Sequence, residues 1–512
     1  MNTPANRIDL NNEGNICITF PPDLGKHSKA RDITGAKYDK ANRYWVIPQK
    51  YLLATVKTFP GFALSSDVQT LMTHYTMGEA ASKATSSSIV YGGGIDVVNG
   101  RKLFSHQKEA VYSILKQRRV ILAHDMGLGK TTSALIAGKL TGLPIYVIAL
   151  RSLHTMWLRE ANLLGVPIQP LISWSKIPHH PDGDFYCILD EAQALQSMKA
   201  KQTQDALDFC NSARYVVALT GTPVKNGKPS NLFGLLCAIK HPLSFKQKVY
   251  KKEFGASNLT NLYAATKGSI LFKRVTDCID LPEKIRTLRT ADLTPEAQET
   301  YNRVFNDLRA KWQLRVNNNE IMSSNEKLVI FTQLRHAASR AKLHTANLMA
   351  EELEDNKTQA VFFVSFTDSA NRLTEMLSKF STVGKITGEV NQSERQKAID
   401  TFQAGQSRFI VATYGSGGVG IPLHSAAHVI LLDRPWTSSD CFQAEARCYR
   451  IGQKNTVFVD WIQQNGIDQH IDALLLKKQR NISSILTGSP TELPLEFDVR
   501  SNMDDIFNEI FK

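Results

Sequence analysis

The chain has 512 residues, too many for one hydrophobic core, because single cores stop growing at roughly 250 to 300 residues. Hydrophobic residues form 42% of the chain and charged residues 21%, a balance that excludes a wholly disordered protein. The formal net charge of +13 favours a polyanionic partner such as nucleic acid, but a soluble protein that is merely basic carries the same charge.

The cysteines and the apolar runs predict a cytoplasmic protein. Seven cysteines are scattered without a Cys-x-x-Cys pair, so their spacing indicates neither a zinc site nor a disulfide framework. The N-terminus lacks a charged start followed by an apolar core, and no apolar run reaches the roughly 18 residues of a membrane span. We therefore expect reduced thiols and no membrane association.

Residues 1–75 are predicted to form a small α+β unit. Short strands are expected at 16–20 and 43–47, with a helix near 67–75. Basic residues alternate here with aromatic ones, a mixture that suits phosphate contacts and base stacking, and the DNA-binding candidates are Lys37, Tyr38 and Arg43. For Tyr38 and Trp45 a place in the core is the favoured interpretation, because a unit of this size needs its large aromatic side chains inside.

The rest of the chain divides by its pattern of apolar runs. A linker rich in Ser, Ala and Gly is expected at 76–100. Apolar runs alternate with helical patterns over 101–240 and again over 358–486, which predicts two α/β lobes with parallel sheets. We interpret 241–357 as a helical insertion between the lobes and 487–512 as a C-terminal tail.

The strongest local signal is a glycine loop between an apolar run and a helical pattern. Glycines let the backbone curl so that its N–H groups face phosphates, Lys130 neutralises the β and γ groups, and the Thr131 hydroxyl holds Mg²⁺. The general pattern begins with a glycine where this chain has His124, so a coincidental Gly-rich turn is the alternative. The nucleotide-binding candidates in this loop are Asp125, Met126, Gly127, Leu128, Gly129, Lys130, Thr131 and Thr132.

Two carboxylates follow a later apolar run, where ligands of open α/β sheets bind. Asp190 is suited to coordinate Mg²⁺, and Glu191 to orient and deprotonate an attacking water. A helix N-terminus that favours acidic residues is the alternative explanation, and the preceding glycine loop argues against it.

The order of the motifs resembles the Swi/Snf family of DNA-translocating ATPases, a branch of the superfamily-two helicases. The resemblance runs from about Leu103 to Leu486 and implies two RecA-like lobes that bind ATP and Mg²⁺ between them and move along double-stranded DNA. The motifs that carry it are LFSHQ (103–107), DMGLGKT (125–131), DEAQ (190–193), LTGTPVKN (219–226), FKRVTDCIDLPEK (272–284), LTPEAQETY (293–301), FFVSFT (362–367), ITGEVNQSERQKAIDTF (386–402), TYGSGGVGIPL (413–423) and QAEARCYRIGQ (443–453).

The last motif also has a physical interpretation. On a helix, Gln443, Arg447 and Arg450 would lie on one face, so that both arginines face the glycine loop and clamp the γ-phosphate when the lobes close. The alternative is a solvated basic helix face.

The resemblance implies further site residues. Gln107 would contact adenine, Gly418 and Gly420 would lie at the cleft, and Thr220 and Thr222 would couple the nucleotide to the DNA. The DNA-binding candidates in the two lobes are Thr222, Ser365 and Thr413. The chain departs from the family's usual residues at His124, Gln193 and Pro422, and Pro422 offers no side-chain donor.

The expected function is remodelling of branched DNA by branch migration, fork reversal or strand annealing. The N-terminal unit resembles the accessory module of HARP-type annealing helicases, and the compact motor resembles bacteriophage branch-migration helicases. The resemblance therefore implies a monomer in a prokaryotic or phage-infected cytoplasm, with recombination or replication proteins as partners. Displacement of proteins from duplex DNA is the main alternative, and a DNA-binding scaffold without ATP turnover is disfavoured because the candidate catalytic residues are all present.

Overall fold

The structure is a computed structural model, and it describes most of the chain. The described residues are 6–11, 15–33, 35–39, 41–48, 51–69, 72, 97–224, 227–255, 258–318, 320, 322–417, 421–488 and 510–511. Most of the predicted linker and tail, and the candidates Gly418 and Gly420, lie outside these ranges. None of the helices in the described ranges combines the length and the apolar character that crossing a membrane requires.

In the described residues, the N-terminal unit combines a five-stranded sheet with helices and its own core, and residues 66–69 are helical as well. Its strands follow the order β3-β4-β2-β1-β5, and only the β1–β5 pair is parallel. Ile8, Ile18 and Trp45 are among the buried residues that form the core. The elements are β1 (Arg7–Leu10), β2 (Ile16–Thr19), α1 (Leu24–Arg31), β3 (Lys37–Asp39), β4 (Tyr44–Ile47), α2 (Leu52–Thr58) and β5 (Ala63–Leu64). A short hairpin follows, β6 (Val97–Val98) and β7 (Arg101–Lys102).

The first lobe is built on a six-stranded parallel sheet in the order β10-β9-β11-β12-β8-β13. Its strands are β8 (Arg119–Leu122), β9 (Ile145–Ala149), β10 (Ile172–Ser173), β11 (Tyr186–Leu189), β12 (Tyr215–Leu219) and β13 (Ile270–Leu271). Its helices are α3 (Ser105–Gln117), α4 (Lys130–Thr141), α5 (His154–Leu164), α6 (Lys201–Ser212), α7 (Phe233–Ala238), α8 (Gln247–Phe254) and α9 (Leu259–Thr266). Apart from Arg119 at the start of β8, the inner strands carry hydrophobic or aromatic side chains because helices cover both faces of the sheet.

The second lobe repeats this plan with the strand order β14-β19-β18-β15-β17-β16, again parallel. Its strands are β14 (Lys284–Thr290), β15 (Ala360–Val364), β16 (Val383–Ile386), β17 (Phe409–Thr413), β18 (His428–Leu431) and β19 (Val457–Gln463). The helices from the connector onward are α10 (Val275–Cys278), α11 (Pro295–Asn317), α12 (Ser324–Ala341), α13 (Leu343–Asp355), α14 (Thr367–Leu377), α15 (Gln392–Gln403), α16 (Tyr414–Gly417), α17 (Ser438–Glu445) and α18 (Ile467–Thr487). The predicted fold class, two RecA-like lobes and a small α+β domain, is confirmed.

The stretch 241–357 contains two strands as well as helices, which corrects its interpretation as a helical insertion. β13 joins the sheet of the first lobe and β14 joins the sheet of the second. Both escape detection for a physical reason: β13 has two residues, and β14 is an edge strand in which only Ile285 and Leu288 are apolar, so neither gives a continuous apolar run. The boundary between the two lobes along the chain therefore lies in the connector between Leu271 and Lys284.

A single helix joins the lobes a second time. The first half of α18 contributes Ile471 and Leu475 to the core of the second lobe. Its last turns contribute Ile482 and Leu486 to the core of the first lobe. The helix therefore bridges the two lobes, because its two halves bury their apolar side chains in different cores.

Candidate functional site

The glycine loop joins β8 to α4 at the carboxyl end of the first sheet. Gly127 and Gly129 have φ angles of +85° and +73°, a left-handed conformation that L side chains rarely adopt. A Cβ on Gly129 would also collide with the side chain of Gln107. The two glycines therefore let the loop curl toward the N-terminus of α4, where free backbone N–H groups attract phosphate oxygens.

Lys130 begins α4 and reaches back into the loop. Its ammonium donates to the carbonyl oxygens of His124 at 2.7 Å and Asp125 at 3.1 Å. Burial lowers the pKa of Lys130, and the carboxylates of Glu191, Asp125 and Asp190 act in the opposite direction. Burial, together with the Lys130 charge, lowers the pKa of His124 to about 3, so His124 adds no positive charge to the loop.

Three other loop candidates differ in what their side chains do. The Thr132 hydroxyl donates to Glu160 at 2.7 Å, so Thr132 has only its backbone N–H to offer a phosphate. Leu128 is buried in the protein. Thr131 is half-buried in the first turn of α4, the position from which a hydroxyl reaches a metal held by the phosphates.

Gln107 lies inside the protein, behind the loop. It is 2% exposed; its side-chain carbonyl accepts from the Phe104 N–H at 3.2 Å, and its amide donates to the Leu128 carbonyl at 3.3 Å. The His106 Nε2 lies 2.9 Å from the same carbonyl oxygen. Gln107 therefore supports the loop directly, and its contact with adenine stays a prediction.

Asp190 and Glu191 follow the carboxyl end of β11, close to the loop. The Asp190 carboxylate accepts from the Trp157 indole at 2.7 Å and from the Glu191 backbone N–H at 3.0 Å. Burial and the neighbouring Glu191 carboxylate raise the pKa of Asp190. Two adjacent half-buried acids repel each other unless a cation compensates them, so their presence is consistent with a cation-binding function.

A chain of hydrogen bonds runs from Glu191 to the end of β12. The Gln193 amide donates to the Glu191 carboxylate at 2.5 Å, and the Thr220 hydroxyl donates to the Gln193 carbonyl at 2.8 Å. The backbone N–H of Thr222 donates to the Thr220 hydroxyl at 2.9 Å. Gln193 therefore links the candidate catalytic base to residues that the sequence assigns to coupling.

Arg447 and Arg450 of the second lobe lie across the cleft from the loop. A Cβ placed on Gly127 would lie 3.3 Å from the Arg450 Cβ. Burial, and then the Arg450 charge, lower the pKa of Arg447 to about 10, and Glu191 on the opposite lobe acts in the other direction. The structure thus brings the predicted catalytic residues of both lobes together.

The predicted helical face carrying these arginines is not observed. Helix α17 ends at Glu445, and Arg447 and Arg450 lie in the turns that follow. The backbone N–H of Leu423 donates to the Arg447 carbonyl at 2.9 Å. The backbone after Glu445 continues in turns instead of a regular helix, so the arginines reach the cleft from an irregular segment.

Comparison with known families agrees with this arrangement. The profile described as "SNF2-related domain" matches residues 175–343, and the profile described as "Helicase conserved C-terminal domain" matches residues 342–452. The chain belongs to the Swi/Snf family of helicase-like ATPases. The glycine loop precedes the matched residues, so its assignment depends on the geometry above.

Several curated proteins are similar to this Swi/Snf chain. A mouse protein, "DNA annealing helicase and endonuclease ZRANB3", is 24% identical over 451 residues, which cover 77% of this chain and 41% of that protein. The Xenopus tropicalis "SWI/SNF-related matrix-associated actin-dependent regulator of chromatin subfamily A-like protein 1" is 22% identical over 417 residues, 73% of this chain and 43% of that protein. The chain thus spans about two fifths of the length of these relatives. A solved structure, "Sulfolobus solfataricus SWI2/SNF2 ATPase core in complex with dsDNA", shares 22% identity with a TM-score of 0.37 and covers 77% of this chain and 95% of that one.

A buried ion-pair cage lies directly before the two arginines in this Swi/Snf chain. The Glu445 carboxylate accepts from Arg286 at 2.7 Å and from Lys284 at 3.1 Å, and both basic residues lie on β14. Burial raises the pKa of Glu445, but the Arg286 and Lys284 charges outweigh it and lower the value to about 2. The cage therefore fixes the end of α17 to the strand that leaves the connector.

Sequence reasoning assigned no role to these three residues. The available signal was weak: Lys284 and Arg286 are two positions apart, which places them on one face of a strand. Their acidic partner lies some 160 positions away in sequence and becomes visible only once the sheet is known.

We expect Glu445→Gln to lower the free energy of unfolding by up to about 3 kcal/mol at pH 7, because it leaves the half-buried Lys284 and Arg286 without their anionic partner. The pKa of Glu445 is depressed from 4.5 to about 2, so the wild-type stabilisation is full above about pH 4.5 and is lost as the pH falls toward 2. Urea unfolding at pH 7 and pH 3 measures both effects. The exposed Glu375→Gln is the matched control, and an equal loss in the two variants at pH 7 would contradict the role of the cage.

The DNA-binding candidates of the N-terminal unit lie at its surface. Lys37 and Arg43 are exposed, and Tyr38 is 40% exposed, so only Trp45 meets the expectation of a core position. The Trp45 indole donates to His27 at 2.9 Å, and the Tyr38 ring lies 5.4 Å from both the His27 and the Trp45 rings. Tyr38 is left outside because it lies on β3, the edge strand of this sheet. The arrangement leaves Tyr38 available for stacking.

The DNA-binding candidates of the two lobes all lie at the carboxyl edge of their own sheet. Thr222 follows β12, Ser365 follows β15 and Thr413 ends β17, all at carboxyl ends of parallel strands. Thr222 and Thr413 are buried, and the Ser365 backbone N–H donates to Asp433 at 2.6 Å. Their contacts with DNA stay predictions.

Proposed function

We propose that the chain is an ATP-driven translocase that moves on double-stranded DNA and remodels branched DNA. The observation that carries the proposal is the position of Arg447 and Arg450 across the cleft from Lys130 and Glu191. Hydrolysis at such a site requires both lobes to be in place, and this requirement links the chemistry to a change in the distance between the lobes.

The residues of the cleft divide the work of phosphoryl transfer to water. The Lys130 ammonium and the N–H groups at the start of α4 hold the phosphates, and Glu191 orients the attacking water and accepts its proton. Arg447 and Arg450 offset the charge that develops on the transferred group. When Glu191 accepts the proton of the attacking water, its charge changes. The hydrogen bonds from Glu191 through Gln193 to Thr220 transmit this change to the carboxyl end of β12.

The donor set also fits Mg²⁺. Asp190 and the Thr131 hydroxyl are oxygen ligands at the edge of the sheet, and Mg²⁺ prefers oxygen ligands from one or two protein groups together with phosphates. When bound, the ion would neutralise phosphate charge. The chain's own contribution is to orient the Asp190 carboxylate through its hydrogen bond from the Trp157 indole.

DNA as the track is supported by charge and by the relatives. The net charge of +13 favours a polyanion, and the similar mouse protein is described as a DNA annealing helicase. The exposed Lys37, Tyr38 and Arg43 supply phosphate contacts and a stacking ring outside the motor, which suits recognition of a branched substrate.

Deletion of residues 1–75 tests this assignment of roles. We expect the shortened protein to remain an ATPase that plain duplex DNA stimulates, because the N-terminal core is separate from the cores of the lobes. Branch migration on four-way junctions should fall sharply. Strand-exchange assays and ATPase assays on the same preparations measure the two activities.

A double variant, Lys37→Ala with Arg43→Ala, is the milder companion to the deletion. Losing two phosphate contacts should reduce the slope of log affinity against log salt by about 1.8 on duplex regions. Equal junction activity of the shortened and full-length proteins would refute the selector role and would favour displacement of proteins from duplex DNA instead.

A further inference from the structure

A group of metal-ligating side chains lies in the first lobe, away from the nucleotide cleft. His179 and His180 are in the segment between β10 and β11, and Asp208 is on α6. One ligand atom from each residue lies within 4.8 Å of the other two. Around a tetrahedral ion with bonds of about 2.0 to 2.1 Å, ligand atoms lie roughly 3.3 Å apart, so small side-chain movements would close the site.

Each of the two imidazoles makes a hydrogen bond through its Nδ1 atom. The Nδ1 atom of His179 lies 3.2 Å from the His180 carbonyl oxygen, and the Nδ1 atom of His180 lies 3.1 Å from the Pro181 carbonyl oxygen. A carbonyl oxygen only accepts, so each Nδ1 carries a proton, and in the neutral imidazole each Nε2 then has the lone pair that a metal needs. A backbone carbonyl on the other ring nitrogen is the arrangement that metal-binding histidines usually have.

Contacts independent of the three side chains fix the two segments that carry them. Before the histidines, the indole of Trp174 donates to the Asp190 carbonyl at 2.9 Å. After them, Asp184 pairs with Arg214 at 2.7 Å, and Arg214 follows α6 directly. At the end of α6, Arg119 donates to the Cys210 carbonyl at 3.0 Å. The backbone therefore holds the histidines beside Asp208 with no metal required.

We propose that His179, His180 and Asp208 bind a divalent late transition-metal ion, with Zn²⁺ as the physiological candidate. Two imidazoles and one carboxylate suit Zn²⁺, Co²⁺, Ni²⁺ or Cu²⁺, whereas Mg²⁺ and Ca²⁺ take oxygen ligands. The ion would join the segment before β11 to the second half of α6. Its role is to stabilise the first lobe.

The site is distinct from the nucleotide site. Helix α6 runs back from the carboxyl end of β11 to the amino end of β12, so Asp208 lies toward the edge of the sheet opposite Asp190. The proposal does not depend on the proposed function, because metal binding is measured without ATP or DNA.

The test uses the full chain, produced without a polyhistidine tag and freed of metal by chelation. Co²⁺ is the spectroscopic probe, followed by Zn²⁺ with metal content measured after gel filtration. We expect one ion per chain, a visible Co²⁺ absorption band that Zn²⁺ removes, and a higher unfolding temperature with Zn²⁺. His180→Ala and Asp208→Asn should each weaken binding at least about tenfold, the loss that even an outer partner of a metal ligand typically causes.

Asp205→Asn is the matched control, because it removes the same charge from the same helix outside the group. It should bind metal as the wild type does, and the metal-free variants should unfold at the wild-type temperature. Less than about a tenth of an equivalent of Zn²⁺ on the wild type would overturn the proposal, and so would equal binding by His180→Ala and Asp208→Asn.

Discussion

Replacing Lys130 by alanine should abolish ATP turnover and leave DNA affinity within a few fold of the wild type. In the proposed mechanism this ammonium holds the phosphates; in the structure it donates to two loop carbonyls and lies near three carboxylates whose charges it offsets. Steady-state ATPase assays with saturating duplex DNA, together with DNA-binding titrations, measure the two quantities. Lys139→Ala is the matched control, because Lys139 is exposed on the same helix.

Glu191→Gln should have the same effect on turnover for a different reason. The amide keeps the shape of the side chain but cannot accept the proton of the attacking water, so nucleotide binding should survive while hydrolysis stops. Fluorescent-nucleotide binding separates the two steps. If either Lys130→Ala or Glu191→Gln kept substantial DNA-stimulated hydrolysis, the assignment of the site would fail.

Arg450→Ala should reduce turnover roughly 10³-fold or more without loss of ATP binding. Arg450 lies across the cleft against Gly127, so its guanidinium can reach the phosphates only while the lobes are together. Turnover at saturating ATP and a separate nucleotide affinity are the measurements, with the exposed Arg303→Ala as the control. If the substitution mainly weakened DNA binding, Arg450 would be a DNA-contacting residue and not a ligand of the ATP phosphates.

The parts of the fold that the sequence predicts well are those with strong local patterns. The runs around β11 and β15 are apolar without interruption because these strands are buried on both faces. The glycine loop can be recognised in the sequence from Gly127 and Gly129. β13 and β14 were missed because a two-residue strand and an edge strand leave no such pattern.

In the candidate site, too, some residues can be predicted from local sequence and others cannot. Lys130 follows β8 after the glycine loop, and Asp190 and Glu191 follow β11 directly, so local sequence is enough to predict that they lie together. The turn that presents Arg447 depends on a hydrogen bond from Leu423, and the Glu445 cage depends on two residues of an edge strand. Long-range contacts of this kind become visible only when the sheet order is known.

The account also predicts a specific role for Gln193. Its amide joins Glu191 to Thr220, so the candidate base is held by the same chain of hydrogen bonds that reaches the end of β12. In the proposed mechanism these hydrogen bonds would link hydrolysis to movement of the strand ends in the first lobe, and Arg447 and Arg450 would link hydrolysis to the second lobe.

The most direct test of the central claim is the ATPase rate of the full chain on single-stranded, duplex, forked and four-way DNA at equal nucleotide concentration. A motor that uses duplex DNA as its track and remodels branches should be stimulated by duplex DNA well above single strands, with the largest stimulation on forked and four-way substrates. Equal rates on all four, or a rate that no DNA raises above the basal value, would contradict the account.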